Sequence, residues 1–423
     1  MDTTRRPAFW AVISADDYSL PIIKAALSSC LPSHSFNEIA DVSDLPDSTC
    51  PLVQFRPYED IDFTHVLQHP TTSLSMAYVI RKALIRKHHL WQTVSSWWVK
   101  HPYETALRGH VPLSVNFELD YAEFLDEALL ECWELNESLA KAEQEWWMLK
   151  PGMSEQGQGV RLFCSEANLR HIFEEWEADE HSEEEEDGTD TPVTVNMAER
   201  IGAGTMTSQL RHFVAQRYIE KPLLFPQHDR RKFHIRTYTL VVGALKVYVY
   251  QDMLALFAPL TFEAPDATKD GDIDPRIHLT NTCLQAGSST AGSVQRFWDL
   301  PQFEGRLSGG WKADAFNQIK NATSALFEAA AREQMIHFQA LPNAFEIFGI
   351  DWLVDETGSV WLLEVNAYPD FKQSGETLRH LVEKFWEGVI CHAVAPFFGI
   401  ASSNLSNNTD AMVKVLDIDL GRA

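Results

Sequence analysis

The chain has 423 residues, 45% of them hydrophobic, with 13 Trp, 24 Phe and a formal charge of -25. That length exceeds one typical core and predicts two or three domains. The charge opposes nonspecific binding to nucleic acid or to an anionic membrane, so neither is expected as a direct partner.

No run of about 18 apolar residues occurs, and the opening MDTTRRPAFW leads into a mixed segment rather than an apolar signal core. A soluble, cytoplasmic protein is expected. Cys30, Cys50, Cys132, Cys164, Cys283 and Cys391 show no CxxC spacing, which predicts buried thiols rather than a zinc site or a disulfide framework.

Residues 8 to 14, FWAVISA, predict a first strand, SLPIIKAALSSC a helix, and CPLVQFRPYEDI a second strand. Residues 1–72 are therefore expected to form a small N-terminal α/β domain. SLSMAYVIRKALIRKHHLWQTVSSWW predicts one helical segment with Met76, Val79, Ile80, Leu84 and Leu90 as its apolar stripe. It carries the densest basic cluster of the chain, Arg81, Lys82, Arg86, Lys87, His88 and His89. A solvated helix face is the ordinary meaning of such a cluster; the alternative is a docking face for an acidic partner.

From Glu145 onward strands predominate: EWWMLKP, GVRLFCS, FVAQRYIEKPLL, KFHIRTYTLVV, LKVYVYQ and a hairpin from Phe348 to Asp370. Between them, Glu174 to Asp190 holds eleven acids and no Lys or Arg. That composition predicts a helix end passing into a disordered, solvated insert at about 178–207. The order suggests α+β domains facing each other across a cleft, a central one over 73–215 and a C-terminal one over 216–423.

Three segments carry chemistry. In WWMLKPGMSEQGQGVRLF, Lys150 ends an apolar strand and a loop with Gly152, Ser154, Gly157, Gln158 and Gly159 follows. Glycines let backbone amides close over phosphate oxygens while the lysine supplies a point charge; a plain Gly-rich hairpin turn is the commoner explanation of such a loop taken alone. In RKFHIRTYTLVV, alternation puts Lys232, His234, Arg236 and Tyr238 on one face and Phe233, Ile235 and Thr237 on the other. A row of cations beside a glycine loop suits a triphosphate. QRYIEKP, from Gln216 to Pro222, reads as a strand leaving a linker whose backbone suits an adenine edge.

The hairpin FGIDWLVDETGSVWLLEVNAYPD keeps Asp351, Glu364 and Asn366 inside apolar runs. With the turn centred between Glu356 and Thr357, residue 351 would pair with 362 and residue 349 with 364, making Asp351 and Glu364 diagonal neighbours on one face. Two carboxylates so placed repel unless a proton, a cation or a metal intervenes, and a hard divalent ion such as Mg2+ fits oxygen donors. The competing reading is a solvated face with Asp351 bonded to a backbone amide.

The ordered blocks KPGMSEQGQGV, QRYIEKPLL, RKFHIRTY, HLTNTCLQ, FGIDWLVD and WLLEVNAYPDF resemble the tubulin-tyrosine ligase family of ATP-grasp enzymes, over about Trp146 to Phe371, with NAYPDFKQSG similar to fungal members. The resemblance implies an α+β ATP-grasp fold, with ATP in a cleft between two halves. Lys150 and the loop residues Gly157, Gln158 and Gly159 would hold phosphates, and Gln216, Arg217, Tyr218 and Ile219 would line the adenine pocket. Lys232 and Arg236 would stabilise the transferring phosphate, with Asn281 near the reacting groups. Asp351, Glu364 and Asn366 would bind Mg2+.

The implied activity is a carboxylate–amine ligase: ATP phosphorylates a carboxylate of a protein acceptor such as tubulin, and the amine of a free amino acid attacks the acyl phosphate. The pattern departs at His234, where the family has aspartate, and at Met253-Leu254-Ala255-Leu256, where its GxxR is lost. Losing a preorganised arginine predicts a transition state weakened by a few kcal/mol, roughly a hundredfold in rate. The alternative function is an ATP-grasp interaction scaffold of weak or no activity in an RNA-turnover (processing-body) assembly; a small-molecule ligase is a third.

Overall fold

The computed structural model describes residues 7–154, 157–178, 211–266, 274–280, 293–302, 307, 309–401 and 411–421, and of 179–186 the backbone alone. The predicted insert at about 178–207 lies almost wholly outside the described side chains, as do Asn281 and Cys283.

Three sheets organise the chain. The first, in the order β2-β1-β3-β4, is wholly parallel: β1 (Phe9–Ile13), β2 (Phe36–Ile39), β3 (Leu52–Phe55) and β4 (Ser73–Ser75). The helix Ser19–Cys30 crosses between β1 and β2 and buries Ile22, Ile23, Ala26 and Leu27, the i, i+3, i+4 pattern that the sequence carries.

The second sheet, β5-β8-β6-β7, is antiparallel: β5 (Ser114–Glu118), β6 (Trp147–Pro151), β7 (Arg161–Phe163) and β8 (His212–Arg217). Trp147, Leu149, Phe213 and Ala215 alternate into a core shared with Leu169, Phe173 and Trp176 of the helix Glu166–Glu186. Met148, Lys150, Val214 and Gln216 are left on the opposite face.

The third sheet has seven strands: β9 (Arg231–Val242), β10 (Lys246–Tyr250), β11 (Leu254–Thr261), β12 (Val294–Arg296), β13 (Phe345–Val354), β14 (Val360–Ala367) and β15 (Met412–Asp417). β9 is its axis, paired by β11 and β10 along one edge and by β13 along the other. Phe233, Ile235, Ala255, Phe257, Ile350 and Trp352 face a core with the helices Lys87–Lys100 and Trp311–Glu333. On the other face, Tyr238, Leu240, Leu254, Leu256 and Ile347 pack with the helices Ser19–Cys30 and Arg379–Val389. That second face also carries Lys232, His234, Arg236 and Asp351, so one side of one sheet is part core and part charged.

The segment predicted as a single helix from Ser73 is not one. Ser73–Ser75 is the parallel edge strand β4, a short helical turn covers Lys82–Ile85, and the long helix begins only at Lys87. Residues between them are drawn out by bridges from Ser75 to Ala344 and from Ile80 to Gln339. Pairing with distant strands overrides local helical periodicity here. Cys30, Cys132, Cys164 and Cys391 are buried, and Cys50 is half-buried.

Candidate functional site

The late hairpin differs from the simplest register, and the difference is instructive. Its turn centres on Thr357, since Val354 pairs with Val360, and a β-bulge lies between Asp351 and Trp352. Asp351 therefore sits directly opposite Glu364, with Gly349 opposite Asn366, rather than diagonal to it. The turn contributes one residue of offset and the bulge a second. Because side chains alternate with a period of two, the two offsets together return Glu364 and Asn366 to the face of Asp351.

On that face Arg236 donates from Nε to Asp351 Oδ1 at 2.5 Å and from Nη2 to Oδ2 at 2.9 Å. Asn366 Nδ2 donates to both Asp351 Oδ2 and Glu364 Oε1, each at 3.2 Å. Burial opposes charge on Arg236, but the Asp351 carboxylate beside it outweighs that and holds the guanidinium more firmly protonated than usual. Burial likewise works against the Glu364 anion, yet Lys87, Lys150 and the Asn366 bond together pull its carboxyl down to about 2.

Gly349 makes room for this pair. A Cβ there would stand 2.8 Å from Cβ of Pro369 and 3.2 Å from Cδ of Arg236. Gly349→Ala is expected to cost about 1–3 kcal/mol in urea unfolding and to shift Arg236 on Asp351, because neither a proline ring nor a bidentate side chain can yield freely.

Across the gap, Lys150 Nζ donates to Gln216 Oε1 at 2.6 Å and to the carbonyl of Leu363, the residue within the bulge, at 3.3 Å. The glycine-loop strand and the acidic hairpin are thus in direct contact. Lys232 Nζ donates to the Tyr218 hydroxyl at 3.2 Å, and that hydroxyl lies 2.9 Å from His278 Nδ1. Burial, and then the charge of Lys150, pulls Lys232 down to about 7. Burial pulls Lys150 down to about 8 against the opposing attraction of Glu364. His234 is also buried, which favours its neutral form; its Nδ1 lies 2.5 Å from Thr280 Oγ1 and its Nε2 3.5 Å from Asp351 Oδ1.

Two cavities meet at these groups. One is lined by Met148, Lys150, Gly157, Val160, Gln216 to Ile219, Lys232 and Leu353, an apolar slot that three lysines, Lys87 among them, also border. The other is a polar cleft of about 850 Å³ reached by Arg56, Arg81, Lys82, Arg86, Arg236, Asn366 and Tyr368. Lys87, His234, Asp351 and Glu364 border both.

The sequence-derived set is largely assembled, with qualifications. Arg217 pairs its guanidinium with Glu145 at 2.8 Å, so its backbone is what lies in line with the slot. Gln216 holds Lys150. Gln158 is exposed, and Gly159 is buried in a left-handed turn outside both cavities. Sequence reading missed Met148, Val160 and Leu353, whose signal was their alternation with core residues. It also missed that the basic cluster turns inward: Arg81 lies 2.8 Å from the buried Glu346, and Lys87 lies 3.9 Å from Glu364. Leu256 stands opposite His234 in the β11–β9 ladder, so the family's lost GxxR leaves an apolar side chain there.

As a cation site, two carboxylates and one amide are fewer donors than a closed metal cage needs, and among the described residues no three His, Cys, Asp or Glu side chains gather as one. Both Asp351 oxygens accept from Arg236 and Asn366 turns Nδ2 to the carboxylates, so the half-buried, ionised Glu364 is the donor that best suits Mg2+, which takes one or two carboxylates and completes its shell with water and phosphate oxygens.

Among the described residues no helix is long and apolar enough to cross a membrane. The tubulin-tyrosine ligase family profile matches residues 76–399. A probable tubulin–tyrosine ligase of Schizosaccharomyces pombe is 41% identical over 417 residues, covering 97% of this chain and 96% of that one. The probable tubulin–tyrosine ligase PBY1 of Saccharomyces cerevisiae is 38% identical over 96% of this chain, which spans 55% of the length of PBY1.

The crystal structure of the C-terminal domain of K. lactis Pby1, an ATP-grasp enzyme interacting with the mRNA decapping enzyme Dcp2, superposes with a TM-score of 0.70 at 33% identity, covering 97% of this chain and 99% of that one. Profile, relatives and fold agree that this chain belongs to the tubulin-tyrosine ligase family and has the α+β ATP-grasp fold.

Proposed function

We propose that the chain is an ATP- and Mg2+-dependent carboxylate–amine ligase acting on a protein acceptor, with tubulin as the first acceptor to try. The observation that carries this reading is the meeting of an apolar slot and a polar cleft at Lys87, His234, Asp351 and Glu364, with Lys150, Lys232 and Arg236 beside them. The slot, between Met148, Val160, Tyr218 and Leu353, suits an adenine. Lys150 and Lys232 would neutralise its phosphates, and Asp351, Glu364 and Asn366 would hold Mg2+, which offsets charge on the same oxygens.

In the first step a carboxylate oxygen of the acceptor attacks the terminal phosphorus and ADP leaves. In the second, the amino-acid nitrogen attacks the acyl carbon, an amide bond forms, and phosphate leaves with the electron pair of the broken C–O bond. Arg236 and the buried lysines supply fixed positive charge where the transferred group passes. Arg56 and Arg81 of the cleft are paired with Asp41 and Glu346, so Lys82 and Arg86 are the basic side chains that would meet an acidic acceptor there.

The test is incorporation of a labelled amino acid into purified tubulin, coupled to ATP consumption, across a panel of amino acids. Incorporation without ATP would remove the ligase reading, and none with any amino acid while ATP is bound would remove tubulin as the acceptor.

Proton linkage gives an independent check. Lys150 and Lys232 have values below the usual lysine range when no anion is present, and a polyphosphate favours their charged forms. Nucleotide binding above pH 7 is therefore expected to take up protons, and affinity to fall as pH rises from 7 to 9. Calorimetry in buffers of different ionisation enthalpy reads both, and proton release on binding would contradict it.

A second reading is favoured by Leu256, which places no cation opposite His234. In it the chain retains nucleotide but serves as an interaction module, as the description of K. lactis Pby1 as a partner of a decapping enzyme suggests. Nucleotide binding without turnover on any acceptor is its expected signature, and cytoplasmic location suits both readings.

A further inference from the structure

Lys87 opens the helix Lys87–Lys100, an element separate from the strands that carry Lys150 and Lys232, and the helix start packs on the second sheet, where Asn116 Nδ2 donates to the His88 carbonyl. Its Nζ donates to the carbonyl of Ser154 in the glycine loop at 2.6 Å and lies 3.9 Å from Glu364 Oε2. It borders the apolar slot, the polar cleft and a third, small cavity behind Lys150. Its side chain is only 16% exposed, so a flexible cation has been fixed at the neck between slot and cleft.

The start of this helix breaks the ordinary electrostatic rule. Arg86 and Lys87 stand at the positive end of the helix dipole beside His88 and His89, whose neutral forms burial favours; no side chain caps it, and its first turn contains no acid. Cations at that end are unfavourable, whereas an anion there is favoured by both the dipole and the lysine. The same turn touches the glycine loop: a Cβ on Gly152 would stand 2.6 Å from His88 Nδ1. Helix start and loop are therefore positioned against each other rather than separately.

We propose that Lys87 is a third cation of the phosphate site and that its bond to the Ser154 carbonyl fixes residues 152–154 beside that site. This rests on the ATP reading above. Lys150 and Lys232 approach the phosphates from two sheets; Lys87 approaches from a helix start and ties Ser154 to the acidic hairpin through Glu364. Its charge is then shared between the Glu364 carboxylate and the phosphates of the nucleotide.

The experiment compares affinities of the full chain and its K87M and K87R variants for ATP, ADP and adenosine, together with the rate of proteolysis within residues 152–154. In K87M, ATP affinity is expected to fall about tenfold or more, ADP affinity less, and adenosine affinity not at all, while loop cleavage accelerates. K87R should retain most of the ATP affinity. Equal losses for all three ligands would mean a merely structural lysine, and unchanged ATP affinity would remove Lys87 from the phosphate site; either overturns the proposal. A wild-type chain that binds none of the three would overturn the nucleotide reading itself, and this inference with it.

Discussion

Arg236→Met is expected to lower the unfolding free energy by about 3–5 kcal/mol, because it strands the Asp351 carboxylate without its bidentate partner. Asp351 is 3% exposed and Arg236 8%, so water cannot replace the lost contacts. Urea denaturation at neutral pH reads the change. The double variant Arg236→Met, Asp351→Leu should recover most of it, since exchanging both members of a buried pair for apolar groups is often neutral. A single variant as stable as the wild type would show that the pair is not formed in solution. A pair so costly to break, on a face that could have been core, is more readily explained by its place beside the slot than by stability.

Glu364→Gln is expected to reduce Mg2+-dependent ATP turnover by about 10²–10³-fold, while leaving adenosine binding intact. The substitution keeps the shape and the Asn366 contact but removes the charge that Lys87, Lys150 and a divalent ion would share. It also changes acid stability, and the sign follows from the depressed value of Glu364, about 2.

A carboxyl with a folded value below its unfolded one contributes stability above about pH 4.5, which is lost as pH falls through the folded value. The variant should therefore be less stable than wild type at pH 6, by about 2 kcal/mol after allowance for partial exposure, and the two should converge near pH 2. Turnover that survives the substitution would place the chemistry elsewhere.

Much of this site was written in alternation and composition. Lys232, His234 and Arg236 on one face of a strand, Lys150 at the end of another and the acids of a third were each legible because a period of two leaves no choice of face once the apolar partners are known. The strands β1, β3, β6, β9, β13 and β14 were legible from their apolar runs, and the helix Ser19–Cys30 from its i, i+3, i+4 apolar spacing.

What failed to read were features fixed by distant partners. β4 looked helical, yet its neighbours in space are β3 and Ala344. The basic cluster looked like a solvent face, yet Arg81 and Lys87 point to Glu346 and Glu364, more than two hundred and sixty residues away.

By itself the sequence determined the family, the residues that bear charge and the face of each strand on which they lie, because those depend on local alternation and on ordered blocks. Only the tertiary structure decided that Asp351 meets Glu364 head-on through a turn offset and a bulge, and that Gln216 holds Lys150. It alone decided that Lys87 joins the site. Each of these depends on the register between segments remote in the chain, which no local pattern encodes.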